Sequence, residues 1–241
     1  MRRTAVLVLL ALLGLLPAAA EARRFRRASP LPDLPLHEVH PAVAPRTELL
    51  AVLLTGDGGW AATDRGLSAA LAARGMPVVG WNSLRYFLHP RNPDGTARDL
   101  ERILRAYLPL WHRQKVVLIG YSFGADVLPF LVHRLPPDLR SGIALVALLG
   151  PDEKAGFRFH LAEWLGKDSK DTLPVRPEIE AIRGLPLLCM YGIQEAHSLC
   201  KELDPAQARI RSRPGSHIVG KQYGPIVEEI LRMTGLGKVS G

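Results

Sequence analysis

A Gly-x-Ser-x-Gly motif between a predicted strand and a predicted helix constrains this chain most strongly. The motif spans residues 120–124, and the apolar run from Val116 to Ile119 before it is typical of a buried strand. After it, apolar residues recur at helical spacing from Ala125 to Leu131. A chance match is the alternative, but the strand and helix on either side favour a nucleophile elbow, a tight turn that exposes Ser122.

Strands and helices alternate along most of the chain, which predicts an α/β fold. Apolar runs predict a mostly parallel sheet, and amphipathic segments predict helices on both of its faces with a minimal cap. The predicted strands are residues 36–40 at an edge, then 49–54, 77–81, 116–119, 143–149, 186–191 and 208–213. The predicted helices are residues 63–74, 96–113 and 222–233, with a capping box at Thr96 and Asp99.

The N-terminus has the pattern of a secretory signal peptide over residues 1–22. Two arginines precede an apolar stretch, and small residues at 18–22 offer A-x-A cleavage sites. An uncleaved membrane anchor is the alternative, but the apolar run is shorter than the roughly 20 residues that span a bilayer. We therefore predict an exported protein with a basic, proline-rich linker at 23–35 and one folded domain at 36–236.

The cysteine content and the charge fit an exported protein. Cys189 and Cys200 are the only cysteines, and in an oxidising compartment such a pair forms a disulfide more often than a metal site. The formal net charge is +8, with four arginines between positions 23 and 27. This balance favours an anionic membrane surface over nucleic acid as a partner, with a simply solvated surface as the alternative. No metal or organic cofactor is implied.

A glycine-rich loop follows the predicted strand at 49–54 and is a candidate oxyanion hole. Glycines in the segment Gly56–Trp60 would let backbone N–H groups approach a ligand closely. With the elbow in place, one donor would be the N–H of Phe123 and the other that of Asp57 or Gly58. A simple hairpin turn is the alternative, disfavoured because a helical pattern follows.

A serine nucleophile requires a histidine base and an acid, in the chain order serine, acid, histidine. His217 follows the last predicted strand and precedes the last predicted helix, where the base is expected. Glu195 follows the strand at 186–191, where the acid is expected. A surface histidine and an exposed loop glutamate are the alternatives, with His197 and Asp204 as the substitutes.

Further candidates concern substrate binding. Arg85 and Tyr86 follow the end of a predicted strand, where open α/β sheets bind ligands, and Trp60 closes the glycine-rich loop. Asp126 and Asp57 would attract a cationic substrate group if they face the pocket. The alternative for both aspartates is a role at a helix N-terminus or in a turn.

The glycine-rich loop 56–60, the segment 83–87 and the extended elbow 120–129 together resemble the VirJ/AcvB family of exported bacterial virulence proteins. The resemblance covers roughly residues 36–233 and implies an α/β-hydrolase fold in the periplasm. It also implies hydrolysis of aminoacylated phosphatidylglycerol, chiefly lysyl-phosphatidylglycerol, and for some members an association with type IV secretion. The acid loop differs from that of the family, which is richer in aspartate than the sequence around Glu195.

By this resemblance, Ser122 would attack the aminoacyl ester and His217 would carry the proton, so the expected partner is an aminoacylated phospholipid at a membrane surface. Two other functions are compatible with the same residues. One is an esterase or thioesterase acting on soluble acyl esters. The other is a non-catalytic binding protein associated with type IV secretion.

Overall fold

The computed structural model describes residues 29–41, 47–158, 172–217 and 222–236. The predicted signal peptide and the first part of the predicted linker lie outside these residues. The chain divides into two units, Met1–Pro32 and Asp33–Gly241, and the fold described below is that of the second. No helix in these described ranges is both long enough and apolar enough to cross a bilayer.

Seven strands of the described chain form one mixed sheet in the order β1-β3-β2-β4-β5-β8-β9. All neighbours pair in parallel except β1, which runs antiparallel to β3. A separate two-stranded antiparallel sheet consists of β6 and β7. The strands are β1 (Leu36–Val39), β2 (Leu49–Leu54), β3 (Val78–Trp81), β4 (Lys115–Tyr121), β5 (Ile143–Leu149), β6 (Lys154–Gly156), β7 (Thr172–Pro174), β8 (Leu187–Gly192) and β9 (Arg209–Arg213).

Helices cover both faces of the main sheet, as the sequence predicts. They are α1 (Ala62–Ala73), α2 (Ser83–Phe87), α3 (Pro93–Leu110), α4 (Phe123–Arg134), α5 (Pro137–Ser141), α6 (Arg176–Ala181) and α7 (Gly224–Met233), with a 3-10 turn at Leu199–Glu202. The apolar sides of α1 and α7 pack on one face. The strand order reverses after β3, so right-handed connections place α3 and α4 on the other face, where they pack against each other.

The core lies around the central strands, which are buried on both sides. Every residue of β2 is buried, and so is every residue of β4 after Lys115. Strands covered on both faces are expected to read as continuous apolar runs, which is how these segments read in the sequence. The α/β fold predicted from that alternation is confirmed.

The start of α3 differs from the prediction. The helix begins at Pro93, and the Asn92 side chain caps it by accepting a hydrogen bond from the Gly95 N–H at 2.7 Å. The predicted capping box of Thr96 and Asp99 is therefore wrong, because both residues lie inside the helix. A proline at the first helical position and asparagine before it were the sequence signals of the true start.

Strand β9 forms one edge of the sheet and is rich in arginine. Arg209 and Arg211 both donate to the carboxylate of Glu229 on α7. Arg213 donates to the backbone carbonyl of Gln222 at 2.9 Å. These three side chains therefore tie the edge strand to the final helix and the segment before it.

Candidate active site

Ser122 lies at the end of β4 in a strained backbone conformation. Its φ of 53° and ψ of −124° fall where residues other than glycine are rare. A Cβ on Gly120 would lie 2.4 Å from the carbonyl oxygen of Gly124, and one on Gly124 would lie 2.3 Å from that of Leu54. Positions 120 and 124 must therefore be glycine, and the turn has the geometry of a nucleophile elbow.

Backbone hydrogen bonds hold the elbow in place. The Ser122 N–H donates to the Leu149 carbonyl at 2.8 Å, which joins the turn to the end of β5. The Ser122 carbonyl accepts from the Ala125 N–H at 2.6 Å, so α4 begins immediately after the serine. Phe123 is the first residue of α4, and the positive end of the helix dipole is therefore directed at the site.

The glycine-rich loop after β2 lies beside the nucleophile. A Cβ on Gly56 would be 3.3 Å from the Ser122 Cβ, so this backbone lies close to the serine. The Gly59 N–H donates to the Gly56 carbonyl at 3.1 Å and closes a turn with Asp57 and Gly58 exposed at its tip. Because α1 follows this turn, the hairpin alternative is wrong. The assignment of Phe123, Asp57 and Gly58 as oxyanion donors stays a prediction.

The side chains of His217 and Glu195 are in contact at the end of the sheet where the parallel strands terminate. The distance from His217 Nδ1 to Glu195 Oε1 is 3.2 Å, with the glutamate side chain 10% exposed and the histidine 43%. The same glutamate oxygen accepts the Gly192 N–H at 3.1 Å. With Nδ1 turned to the acid, Nε2 is the ring nitrogen left to face a nucleophile, as a catalytic base requires.

Gly150 places the histidine ring, and the sequence reasoning missed it. Its φ is +67°, and a Cβ built there would lie 2.8 Å from His217 Cε1. Gly150 directly follows Leu149, whose carbonyl accepts the Ser122 N–H, and the Tyr121 ring centroid lies 5.8 Å from that of His217. The base therefore packs on the two segments that frame the nucleophile. A glycine at the last step of a buried strand was the available signal.

The loop that carries Glu195 is fixed at several points. A disulfide joins Cys189 in β8 to Cys200 in the 3-10 turn, which confirms the predicted bond. The Gln194 N–H donates to the Gly215 carbonyl at 3.0 Å, so the acid loop and the histidine loop are hydrogen-bonded to each other. A Cβ on Gly192 would fall 1.5 Å from the Ser216 carbonyl oxygen, so only glycine permits this approach.

The two substitutes for the pair lie elsewhere. His197 is exposed, and Asp204 accepts the Ala206 N–H at 2.8 Å within a turn. Among the residues that the structure describes, no three His, Cys, Asp or Glu side chains cluster as metal ligands.

Asp126 is buried, and its contacts are structural. Its Oδ1 accepts the Asp152 N–H at 2.7 Å, which secures the loop after β5. Burial raises the pKa of the Asp126 carboxyl well above its usual range, with smaller contributions from the charges of Asp152 and Asp57. A carboxyl that favours its neutral form is a poor receiver of an ammonium group. The substrate-binding role predicted for Asp126 therefore has no support in this geometry.

Tyr86 was assigned to a substrate pocket, and that prediction is wrong. The side chain is 2% exposed, and its hydroxyl donates to Asp99 Oδ2 at 2.6 Å. Helix α2, capped by Asn82, turns Tyr86 into the core and leaves Arg85 exposed beside the site edge. The role predicted for Arg85 stays a prediction.

Trp60 packs on the sheet. Its ring stacks on His37 with centroids 4.6 Å apart, and it fills the space in which a side chain on Gly80 would stand. These contacts are with β1 and β3. They give Trp60 a packing role, and its predicted contact with substrate stays a prediction.

Asp64 is a second residue that the sequence reasoning missed. It lies in the first turn of α1 and accepts the Ala61 N–H at 3.1 Å, which secures the end of the glycine-rich loop. Its other carboxyl oxygen is buried without a hydrogen-bond partner. Burial raises the pKa of Asp64 to about 6. The signal was an aspartate in the first turn of a predicted helix.

Solved structures similar to this chain share its fold. A structure of Est1E from Butyrivibrio proteoclasticus with ferulic acid bound has a TM-score of 0.60 and 13% identity, covering 86% of this chain and 96% of that one. MenH from S. aureus has a TM-score of 0.60 and 13% identity, covering 84% and 98%. A putative dienelactone hydrolase from Klebsiella pneumoniae has a TM-score of 0.59 and 12% identity, covering 84% and 92%. These likenesses show the α/β-hydrolase fold.

Comparison by sequence gives a family. No curated protein matches the chain. The family model described as bacterial virulence protein (VirJ) matches residues 48–236, which include the glycine-rich loop, the elbow, the acid loop and His217. The chain therefore belongs to the VirJ family of bacterial virulence proteins.

Proposed function

We propose that this protein is an exported, periplasmic serine hydrolase that cleaves the aminoacyl ester of aminoacylated phosphatidylglycerol, with lysyl-phosphatidylglycerol as the first candidate. The observation that carries the hydrolase proposal is that His217, in contact with Glu195, packs against Gly150 and Tyr121, next to the strained elbow of Ser122. The similarity of the fold to esterases agrees with it. The disulfide and the signal-peptide pattern support export.

In the first half of the reaction, Ser122 Oγ attacks the carbonyl carbon of the aminoacyl ester while His217 Nε2 takes its proton. Glu195 stabilises the resulting imidazolium through Nδ1, at the 3.2 Å distance found here. The tetrahedral oxyanion would be held by N–H groups of Phe123 and of the loop tip at Asp57 and Gly58. Collapse breaks the ester bond, and His217 returns the proton to the phosphatidylglycerol hydroxyl.

In the second half, water attacks the aminoacyl ester formed on Ser122. His217 takes a proton from the water and delivers it to Ser122 Oγ as the acyl bond breaks. The amino acid leaves and the serine is restored. The net reaction consumes one water and gives one amino acid and one phosphatidylglycerol.

The substrate class rests on membership of the VirJ family and on the basic character of the chain. The formal net charge of +8 favours approach to a surface of anionic lipids. Asp57 is exposed at the tip of the loop beside Ser122, and we expect its carboxylate to attract an aminoacyl ammonium group. Association with type IV secretion components stays a prediction.

The direct test is amino acid release from vesicles that contain lysyl-phosphatidylglycerol. The predicted mature chain, from Arg23 onward, should release lysine, and Ser122→Ala should reduce the rate by at least roughly 10³-fold. The same change should leave the thermal unfolding temperature unchanged within about 2–3 °C, since only one partly exposed hydroxyl is lost. Release that persists in Ser122→Ala would refute the assignment of the nucleophile. No release from the folded wild type would refute the lipid substrate.

A soluble acyl ester is the second candidate substrate, and one observation favours it. The His217 side chain is 43% exposed, so a small ester could reach the described part of the site from solvent without a membrane. A short-chain nitrophenyl ester or thioester distinguishes the two cases. Turnover of that probe with no dependence on vesicles, and none of the lipid, would assign the soluble substrate.

A purely binding role is disfavoured by the strain at Ser122. A non-glycine residue at positive φ costs about 1–3 kcal/mol and persists where function requires it. The binding role predicts that Ser122→Ala leaves the biological phenotype intact. Loss of the phenotype in a normally folded Ser122→Ala protein would exclude it.

A further inference from the structure

Three exposed apolar side chains lie at the end of the sheet where the parallel strands terminate, which is also where Ser122 lies. Leu88 is 60% exposed, Ile193 is 58% exposed and Leu173 is 40% exposed. Within the described residues, the other large hydrophobic side chain that is clearly exposed is Leu110, at 36%. Leu110 ends α3 just before β4 begins, and it therefore belongs to the opposite edge.

Leu88 and Ile193 stand on either side of the nucleophile. Leu88 ends α2, whose Phe87 ring packs against Phe123 with centroids 5.1 Å apart. Ile193 directly follows β8, and its N–H donates to the Arg213 carbonyl. Strands β3 and β8 are four neighbours apart with β4 between them, which corresponds to roughly 19 Å.

Leu173 extends the same set over the small second sheet. It is paired with Ala155 of β6, and β6 follows the carboxyl end of β5. Helix α4, which begins at the elbow, packs against β6. All three apolar side chains are therefore attached to segments that leave the edge at which the candidate site opens.

Basic side chains accompany each of the three. The exposed cations are Arg85 and Arg91 near Leu88, Lys154 opposite Pro174 near Leu173, and Lys201 near Ile193. The Lys201 ammonium donates to the Glu195 and Ala196 carbonyls, which places it on the acid loop. Three exposed acids lie at the same end of the sheet: Asp57 follows β2, and Asp152 and Glu153 follow β5.

We propose that this rim, defined as Leu88, Leu173 and Ile193 with the basic residues beside them, docks the protein on the surface of an anionic phospholipid bilayer. The apolar side chains enter the interface and the cations meet lipid phosphates, so the opening beside Ser122 faces the membrane. The purpose of this docking rests on the proposed lipid ester hydrolysis. Binding to the bilayer does not itself require ester hydrolysis.

The pattern fits a bilayer better than a protein partner. The core of a protein interface is a contiguous apolar patch from which charged residues are depleted. Here the apolar side chains are separated, by roughly 19 Å between the flanking strands, and cations lie among them. Insertion of apolar side chains and attraction of cations to anionic headgroups are the two contributions to binding at a membrane surface, and the rim offers both.

The test uses vesicle cosedimentation in a Ser122→Ala background, so that no lipid is consumed. Leu88→Gln and Ile193→Gln are combined in the predicted mature chain, with Leu110→Gln as the matched control on the opposite edge. The basic tail is the same in every protein, so its attraction to lipid cancels. Vesicles contain phosphatidylglycerol with phosphatidylcholine, or phosphatidylcholine alone.

We expect the double variant to bind phosphatidylglycerol vesicles about 25-fold more weakly, because each half-inserted aliphatic side chain accounts for about a fivefold change. Leu110→Gln should bind as the parent does, and the parent should bind phosphatidylcholine vesicles far more weakly. Equal losses in Leu110→Gln and the double variant would overturn the proposal. So would absent binding by the parent or indifference to lipid charge.

A further measurement separates this proposal from the proposed function. When Ser122 is kept, the protein that carries both Leu88→Gln and Ile193→Gln should retain wild-type turnover of a soluble nitrophenyl ester and lose lysine release from vesicles. If neither protein hydrolyses any ester but the binding difference is found, the docking surface holds and the proposed function fails. If both substrates are hydrolysed equally well by the two proteins, the docking proposal is wrong and the hydrolase stands.

Discussion

Substitution of Gly150 tests the position of His217 without touching any proposed catalytic side chain. The Cβ of Gly150→Ala would lie 2.8 Å from His217 Cε1, whereas carbon atoms in contact are about 3.5 Å or more apart, so the ring must withdraw by roughly 0.7 Å. The ring is the end of a half-exposed side chain and can move. The fold should therefore survive while the geometry of the base does not.

We expect Gly150→Ala to lower kcat/KM for an ester substrate about 100-fold, since a displacement near 1 Å in a catalytic group has that effect. The left-handed backbone should cost about 1–2 kcal/mol, which lowers Tm by roughly 2–8 °C in a domain of this size. Both quantities are measured together, by steady-state kinetics and by thermal unfolding.

Gly184→Ala is the matched control. Gly184 also has a positive φ, +97°, but nothing lies within 4 Å of the position that a Cβ would take. It precedes β8 on the edge opposite the site. It should therefore show a comparable fall in Tm with kcat/KM unchanged. Activity of Gly150→Ala within about twofold of wild type, or an equal loss in Gly184→Ala, would refute the reasoning.

Three further predictions concern Glu195, the buried Asp64 and the disulfide. Glu195→Gln should lower kcat roughly 10²- to 10⁴-fold in steady-state assays with Tm retained, because the neutral amide cannot stabilise the His217 imidazolium; full activity would exclude Glu195 as the acid. Burial raises the pKa of Asp64 from 3.8 to about 6, so the folded state binds this proton more tightly, and its contribution to stability is present below pH 4 and lost as pH rises through 6. Urea unfolding should show that the free energy of unfolding falls by about 2–3 kcal/mol between pH 4 and pH 8 in the wild type and that this fall is absent in Asp64→Asn. The same pH dependence in both proteins would contradict this. Replacing Cys189 and Cys200 together by alanine opens a loop closed across a sequence separation of 11 and should lower the free energy of unfolding by about 3 kcal/mol, measured by urea titration, whereas an unchanged midpoint would show that the loop is held without it.

The elements of the fold were readable in the sequence because each has a local signature. The central strands are continuous apolar runs, and Ser122 follows one of them directly and precedes a helical pattern. His217 and Glu195 were found because parallel strands end at one edge, so residues after successive strands meet there. Their 3.2 Å contact is the outcome of that topology.

The orientation of side chains outside regular strands was not readable. Tyr86 and Arg85 are adjacent in sequence, and only the short helix α2 decides that one is buried against Asp99 and the other is exposed. The sequence predicts a substrate contact for Asp126 only if its side chain faces the pocket. Its partner, the Asp152 N–H, lies 26 residues away, and no local pattern records such a contact.

The arginine-rich edge strand β9 also bears on how the protein behaves at high concentration. An exposed edge of a sheet offers unpaired N–H and carbonyl groups to any other strand. Antiparallel pairing of β9 with a second copy would bring Arg209, Arg211 and Arg213 opposite the same three cations. Pairing by this route is electrostatically opposed, and the opposition weakens as salt is added. The arginines of the edge strand thus oppose strand-to-strand assembly of the protein, most strongly at low salt.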